Sequence, residues 1–223
     1  MRHGPNKLIF QSAQALQDIY NNDKVTKSSI YLNTVSAGKP SLFNLLDKQA
    51  HKSRRKVVAQ AVNDKAMRTF EPTMMGQINI FLDQLRLDAR DSRPVDLTER
   101  CKRLGMDIVG LLAFGSPLNL QTDPTYRFFL RGMAIGTYQN NSAMQFPLLK
   151  KLLLHYLLIV LGYAQRMKYL RMLQNLINTR LSEEKHARND FYSFVIDHLD
   201  KADSELTANG LWSEALFLFP AGM

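Results

Sequence analysis

Asp47-Lys48-Gln49-Ala50-His51-Lys52-Ser53-Arg54-Arg55-Lys56 reads as the capped entry of a basic helix. Asp47 is a strong N-cap type, and Val57, Val58, Ala61 and Val62 follow it at helical spacing. At about 100° per residue, His51, Arg55, Val58 and Val62 fall within about 60° of one another, so the basic pair shares a side with two valines. Cations on a core-facing side need an anion: an Asp or Glu of the same fold, or the carboxylates of a ligand. The helix is expected to stop near Glu71-Pro72, because proline disfavours helical geometry in the residue before it.

Working outward, the chain reads as predominantly helical with minimal strand content. Upstream, Leu8-Ile9-Phe10 is a short extended piece, Ser12 caps a helix reaching Tyr20, and the polar text from Asn21 to Lys39 is a loop. Downstream, Met74, Ile78, Phe81 and Leu85 form one stripe of a helix over about 73–87, which the polar run Asp88 to Pro94 ends. Leu97, Cys101, Leu104, Ile108 and Leu111 or Leu112 place a helix over about Leu97 to Phe114, terminated by Gly115 and Pro117, with Cys101 as a small core residue. Further helices are expected over 124–141, over Gly162 to Arg188, from Asp190 to about Leu199, and from Thr207 onward, the last carrying the single tryptophan, Trp212. In the long helix Tyr163, Met167, Leu170, Ile177 and Leu181 face inward, while Arg166, Lys168, Arg171, Arg180, Lys185 and Arg188 form a solvated basic face.

Composition narrows the function classes. A chain of 223 residues with 45% hydrophobic positions can bury a core, so disorder is a poor default. With 29 Lys+Arg against 20 Asp+Glu, the net charge of +9 invites nucleic acid, an anionic membrane surface or an acidic cofactor. One cysteine, Cys101, excludes a disulfide framework and any cysteine-rich metal cluster. Phosphate-loop, esterase and zinc-protease motifs do not occur in the sequence. The first residues lack the apolar run of a signal peptide, so the chain as written reads as starting in the cytosol. Residues 146–161 are the longest apolar concentration, about half of what a bilayer crossing needs, and suit either a buried helix or a patch resting in a membrane interface beside Lys150 and Lys151. In Leu211-Trp212-Ser213-Glu214-Ala215-Leu216-Phe217-Leu218-Phe219-Pro220-Ala221-Gly222-Met223, a helix apolar nearly all round meets a proline and a small pair where a flat ligand can approach the backbone.

These landmarks, in this order, resemble the first half of the catalytic region of a fungal-type microsomal cytochrome P450, a haem-thiolate monooxygenase. Gly4-Pro5-Asn6-Lys7-Leu8-Ile9-Phe10 is similar to the family's opening strands, and Ser12 to Tyr20 to its helix B. The stretch from Asp47 resembles the D-x-x-x-H-x-x-x-R-[RK] entry of its helix C, and Asp107 to Gly115 the D-I-x-x-x-x-F-G end of its helix E. Leu211 to Gly222 resembles helix I running into A-G-x-[DE]-T-T. The resemblance implies a mainly α, incomplete P450 fold forming one partial domain over 1–223. Its parts would be a strand, helix B and loop over 1–46, helices C to E over 47–123, helices F and G over 124–188, and helices H and I over 189–223.

The resemblance further implies a haem cofactor with His51 and Arg55 on a propionate, Ala221 and Gly222 over the distal haem face, and Phe217 or Phe219 lining the substrate cavity. The implied activity is haem-dependent oxidation of a small apolar molecule with O2 and electrons from an NADPH-dependent reductase, on the cytosolic face of the endoplasmic reticulum membrane, with residues 146–161 between helices F and G resting on that membrane. The family's axial cysteine sits in F-x-x-G-x-R-x-C-x-G, which this sequence lacks, and Cys101 has the wrong neighbours to replace it. The acid–alcohol pair would follow Met223, so no catalytic residue or metal ligand is expected here, and the chain is read as a fragment that is inactive alone. The competing class is a non-enzymatic basic helical module that binds nucleic acid or an acidic partner; the lack of interleaved aromatics makes nucleic acid the poorer partner.

Overall fold

A computed structural model describes residues 1–35, 40–147, 153–184, 187, 190–193, 213, 214 and 217, with the backbone alone for 153–162. Strands β1 (Arg2–Gly4) and β2 (Lys7–Leu8) form an antiparallel hairpin, with Arg2 opposite Leu8 and Gly4 opposite Lys7. The hairpin starts earlier than the expected piece at 8–10 because Met1 takes part in it: Ile9 N–H donates to Met1 O at 2.8 Å. Helix α1 (Ala13–Tyr20) follows, its first turn held by Ala15 N–H donating to the Ser12 hydroxyl at 3.2 Å. The polar stretch from Asn21 is not all loop. It contains a 3-10 helix, Ser29–Thr34, whose last residue is buried and donates its hydroxyl to Tyr31 O at 2.7 Å.

The basic helix is shorter than expected and its successor longer. Helix α2 (Lys48–Ala61) is capped by Asp47, which accepts Ala50 N–H at 2.7 Å. The break falls at Val62-Asn63, and α3 (Asp64–Arg90) then runs through Pro72. Asn63 decides the position of the break by accepting Ala66 N–H at 2.9 Å, with Asp64 favouring the positive end of the new helix. Pro72 removes one intrahelical bond, but Pro72 and Arg68 both lie on the exposed side, where the carbonyl freed at residue 68 meets water. Packing of α3 along α4 (Leu97–Phe114) keeps the helix continuous. Asp88, expected in the polar run after the helix, is buried in its last turn and forms ion pairs with Arg100 and Arg93.

The bounds of α4 are those the periodicity predicts, and its C-cap Gly115 is left-handed at φ 60°. The buried face differs. Met106, Asp107, Gly110, Ala113 and Phe114 point into the core, whereas Leu97 and Cys101 are exposed, so Cys101 is not a core residue. A heptad-like stripe was legible, but the helix is rolled so that the adjacent stripe is covered. The reason lies in the turn that follows. Asp107 accepts Leu120 N–H at 2.8 Å and Gln121 N–H at 3.0 Å, pulling residues 116–121 back over this face. Gly110 permits the approach, since a Cβ there would stand 2.9 Å from Ser116 O and 3.0 Å from Leu118 Cγ. Gly110→Ala is therefore expected to cost about 1–3 kcal/mol, read as a lower urea midpoint at unchanged slope, because the atom in the way is backbone. A midpoint equal to wild type would contradict this packing.

Helix α5 (Phe128–Gln145) starts four residues later than expected, and α6 (Leu153–Ser182) starts nine earlier and stops before Arg188. The main core lies between α4, α5 and α6, formed by Met106, Phe114, Leu118, Leu120, Phe129, Leu130, Met133, Leu173 and Ile177. On α6 the inward residues are Tyr169, Met172, Leu173, Leu176 and Ile177, while Tyr163 and Leu181, expected inside, are exposed. Tyr169 stacks on Phe129 with ring centroids 4.8 Å apart, and burial pushes its hydroxyl pKa up. Arg180, expected on the solvated face, is buried against Asp190. At 190–193 the chain opens another turn through a reciprocal cap, in which Ser193 N–H donates to Asp190 Oδ1 at 2.9 Å and Asp190 N–H to Ser193 Oγ at 3.2 Å.

Expectations for residues 36–39 and 148–152, for the side chains of 153–161, for Lys185 and Arg188, for 194–212 including Trp212, and for Phe219, Ala221 and Gly222 concern positions outside those described. Among the described residues, no helix is long and apolar enough to cross a membrane.

Candidate cofactor-binding site

Helix α2 carries Lys48, Lys52, Arg54, Arg55 and Lys56 on fourteen residues, and its only buried residues are Arg54 and Ala61. The sequence reading turned His51, Arg55, Val58 and Val62 inward; the structure corrects this. Val62 is 50% exposed, Arg55 is exposed, His51 and Val58 are half-buried, and the cation facing inward is Arg54. Arg54 and Ala61 are seven residues apart, two turns on one face, and that spacing was the signal available in the sequence.

Arg54 meets the anion that a buried cation requires. Its Nη1 lies 3.3 Å from Glu214 Oε1, with both side chains buried, and it also donates to Pro40 O. Glu214 Oε1 in turn accepts Leu42 N–H at 2.8 Å. Lys27 closes the group from the other side, its Nζ donating to Leu42 O and Phe43 O, each at 2.9 Å. Burial pushes the Glu214 carboxyl up, opposed by the Leu42 N–H, Arg54 and Lys27. Burial also pushes Lys27 down, opposed by Glu214. Residues 41–44 are thus a strap between α2 and the helical residues 213, 214 and 217. Phe43 lies at its centre, stacked on Phe217 with centroids 5.2 Å apart and planes 15° from parallel, and tilted against Tyr31 at 5.2 Å.

His51 and Arg55 sit one turn apart on the open side of the same helix. Among the described residues neither has a carboxylate within ion-pair distance. The internal salt bridge considered for this pair is made by Arg54 instead. Partial burial, Lys27 and Arg55 together hold the His51 imidazolium below its ordinary pKa. A half-covered patch of like charges that depresses a histidine attracts an anion, and the spacing of two donors one turn apart suits a carboxylate. Lys27, Phe43, Arg54 and Glu214 were not identified as site residues from the sequence, because their convergence depends on contacts between distant segments. Of the other expected site residues, Phe217 lies against the strap; Cys101, expected to be no ligand, is exposed on α4 and outside this group. A separate open groove of about 710 Å³ runs between Pro117, Leu118, Phe128 and α6, with Lys168 Nζ 3.9 Å above the Phe128 ring, and takes no residue from α2.

Comparison with known proteins places these observations in a family. The family model described as Cytochrome P450 matches residues 6–223. Over the whole chain the sequence is 30% identical to the cytochrome P450 monooxygenase fscF of Fusarium equiseti, of which it covers 45%. It is also 25% identical, over the whole chain and 45% of the relative, to the cytochrome P450 monooxygenase poxM of Penicillium oxalicum. The fold resembles a crystal structure of a cytochrome P450 (CYP102L1) at a TM-score of 0.69 and 14% identity, covering 91% of this chain and 46% of that one. It resembles the retinoic acid bound cyanobacterial CYP120A1 at 0.66 and 20% identity, covering 94% and 45%. The chain thus spans about half the length of the relatives it matches.

Proposed function

Because the chain belongs to the cytochrome P450 family, we propose that its residues form part of a haem-dependent monooxygenase and that His51 and Arg55 hold a haem propionate. The observation that carries this reading is the uncompensated pair on α2, a permanent cation and a histidine one turn apart with no described acid within ion-pair distance of either. The donor set fits: Arg55 supplies a permanent charge and a fork of N–H donors, and His51 an N–H whose charge a carboxylate would restore. When bound, haem supplies the iron centre at which the family activates dioxygen.

The chain's own residues bind and orient. Phe217, stacked on Phe43 of the strap, and Phe219 are proposed to line the substrate cavity, and Ala221 and Gly222 to be the small residues that let the backbone approach a flat macrocycle. A small apolar molecule is the proposed substrate, an NADPH-dependent reductase the proposed electron donor, and the cytosolic face of the endoplasmic reticulum the proposed location, with residues 146–161 resting on the membrane. The chain is one partial domain whose segments 1–46, 47–123, 124–188 and 189–223 correspond to the family's opening strands with helix B, helices C to E, helices F and G, and helices H and I. Since F-x-x-G-x-R-x-C-x-G is not among these residues, the chain by itself is proposed to bind the porphyrin without supporting turnover. Its reduced, CO-treated form is expected to lack a thiolate-type Soret band, and such a band would refute this.

Haemin titration of the expressed chain tests the site. Replacing Arg55 by Ala removes a charge-assisted bond and is expected to weaken binding about tenfold or more at every pH. His51 adds a pH dependence whose sign follows from its depressed pKa. The free site holds His51 neutral at neutral pH, and a carboxylate bound beside it raises that pKa, so binding takes up a proton and strengthens as pH falls through the histidine range. His51→Ala is expected to abolish that rise while leaving a weaker, flatter affinity. If the double Ala variant binds haemin as tightly as wild type, the assignment is wrong.

A further inference from the structure

We infer that Arg54 is a positioning residue: its buried pair with Glu214 sets the roll of α2 about its own axis and so the direction in which His51 and Arg55 point. The inference rests on the reading of those two residues as a propionate site. A surface helix ordinarily owes its roll to a stripe of buried apolar side chains. On α2 the apolar residues that share this face, Ala50, Val57 and Val58, are only half-buried, and of its fourteen residues Arg54 and Ala61 alone are buried, so Arg54 is the one large side chain of the helix that is covered. The directional contact on that face is the Arg54 guanidinium, held between Glu214 Oε1 and Pro40 O. On a helical wheel His51 lies about 60° and Arg55 about 100° from Arg54, so anchoring one face aims the other.

The anchor is itself built. Glu214 is held by Leu42 N–H, the strap carbonyls at 42 and 43 are held by Lys27, and Phe43 is stacked on Phe217. A rotation of α2 would have to break the ion pair or drag the strap with it. Arg54 is buried and engaged by Glu214 and Pro40, so it acts through the helix. Breaking the pair by removing one partner leaves a buried charge uncompensated, so the substitution should loosen this junction well before it disturbs the core between α4, α5 and α6.

The test uses the whole chain in three forms, wild type, Arg54→Met and Arg54→Lys, with amide hydrogen exchange, emission of the single tryptophan Trp212, and haemin titration. In Arg54→Met the Leu42 amide and the α2 amides should exchange at least tenfold faster, with core amides such as Leu173 unchanged. Trp212, two residues from Glu214 in the chain, should change its emission, and haemin should bind several-fold more weakly. Arg54→Lys, which keeps the charge, should recover most of each change. If Arg54→Met leaves haemin affinity and α2 exchange at wild-type values, or if Arg54→Lys is no better than Met, the inference is overturned. Should Arg54→Met fail to fold, Glu214→Gln decides by the same criteria, because it keeps the acceptor for Leu42 N–H and removes only the charge. Exchange is read without haemin, so wild-type binding that ignores His51 and Arg55 would sink the propionate reading alone.

Discussion

Arg180→Met is expected to lower the free energy of unfolding by about 3–5 kcal/mol, a large share of what holds a domain together. The guanidinium is 2% exposed and its partner Asp190 is 1% exposed, so neither charge has water to fall back on. The two groups meet as a fork: Arg180 Nε donates to Asp190 Oδ2 and Nη2 to Oδ1, the latter at 3.2 Å. A third donor reaches Glu184 O at 3.1 Å, and the Tyr192 ring lies 4.6 Å from the guanidinium carbon. One side chain therefore ties the end of α6 to the turn at 190–193. Methionine fills much of the space but leaves the Asp190 carboxylate buried without its cation. The double variant Arg180→Met/Asp190→Asn removes that orphaned charge and should recover part of the loss, giving a coupling of about 1–3 kcal/mol in urea melts. A single-variant cost below about 1 kcal/mol would mean the pair does not hold this junction.

Asp107→Ala is the second large effect, expected at about 3–5 kcal/mol. The carboxylate accepts two backbone N–H groups, of Leu120 and Gln121, at a place where both acceptor and donors are buried. Removing it leaves two N–H groups without a partner, each costing about 1–3 kcal/mol. Asp107→Asn should cost less, since its amide oxygen serves one N–H while its NH2 opposes the other. The pH dependence has a definite sign. Burial pushes this carboxyl up, with the two N–H bonds, Gln121 and Arg127 opposing. Between the ordinary carboxyl value and the raised one, the folded chain holds more protons than the unfolded chain, so this group's contribution to stability falls as pH rises through that window. The Asn variant should show a shallower fall. Glu214, raised for the same reason, keeps part of the slope. A slope identical to wild type would remove Asp107 from this role.

Several helix boundaries set by a local cap were legible, although the Asn63 cap that starts α3 was passed over for Pro72. Asp47, Ser12 and Gly115 act within one turn of chain, and the elements they bound fall where the sequence places them. Pro72 misled because its cost is also local, about one hydrogen bond, while the packing of α3 on α4 that outweighs it is not. Helix rolls were less legible. Periodicity finds two or three stripes on a helix such as α4, and which one is covered depends on the turn that Asp107 pulls back. Exposed Cys101 and buried Met106 are two outcomes of that single choice.

The candidate site divides the same way. That α2 is basic and that its cations need an anion follow from residue types and the high cost of a bare buried charge, and the order of motifs identified the family. The sequence by itself determined the chemistry on offer: a capped basic helix, one cysteine away from any metal-binding pattern, and an apolar segment ending in small residues. Only the tertiary structure decided which cation is anchored and which are open. Arg54 and Arg55 are neighbours in the chain with nearly the same propensities, yet one is locked to Glu214, 160 positions away, and the other faces outward. That difference is set by a roll of about 100°, and the buried pair of Arg54 with Glu214, a contact between distant segments, fixes which of the two neighbours is covered.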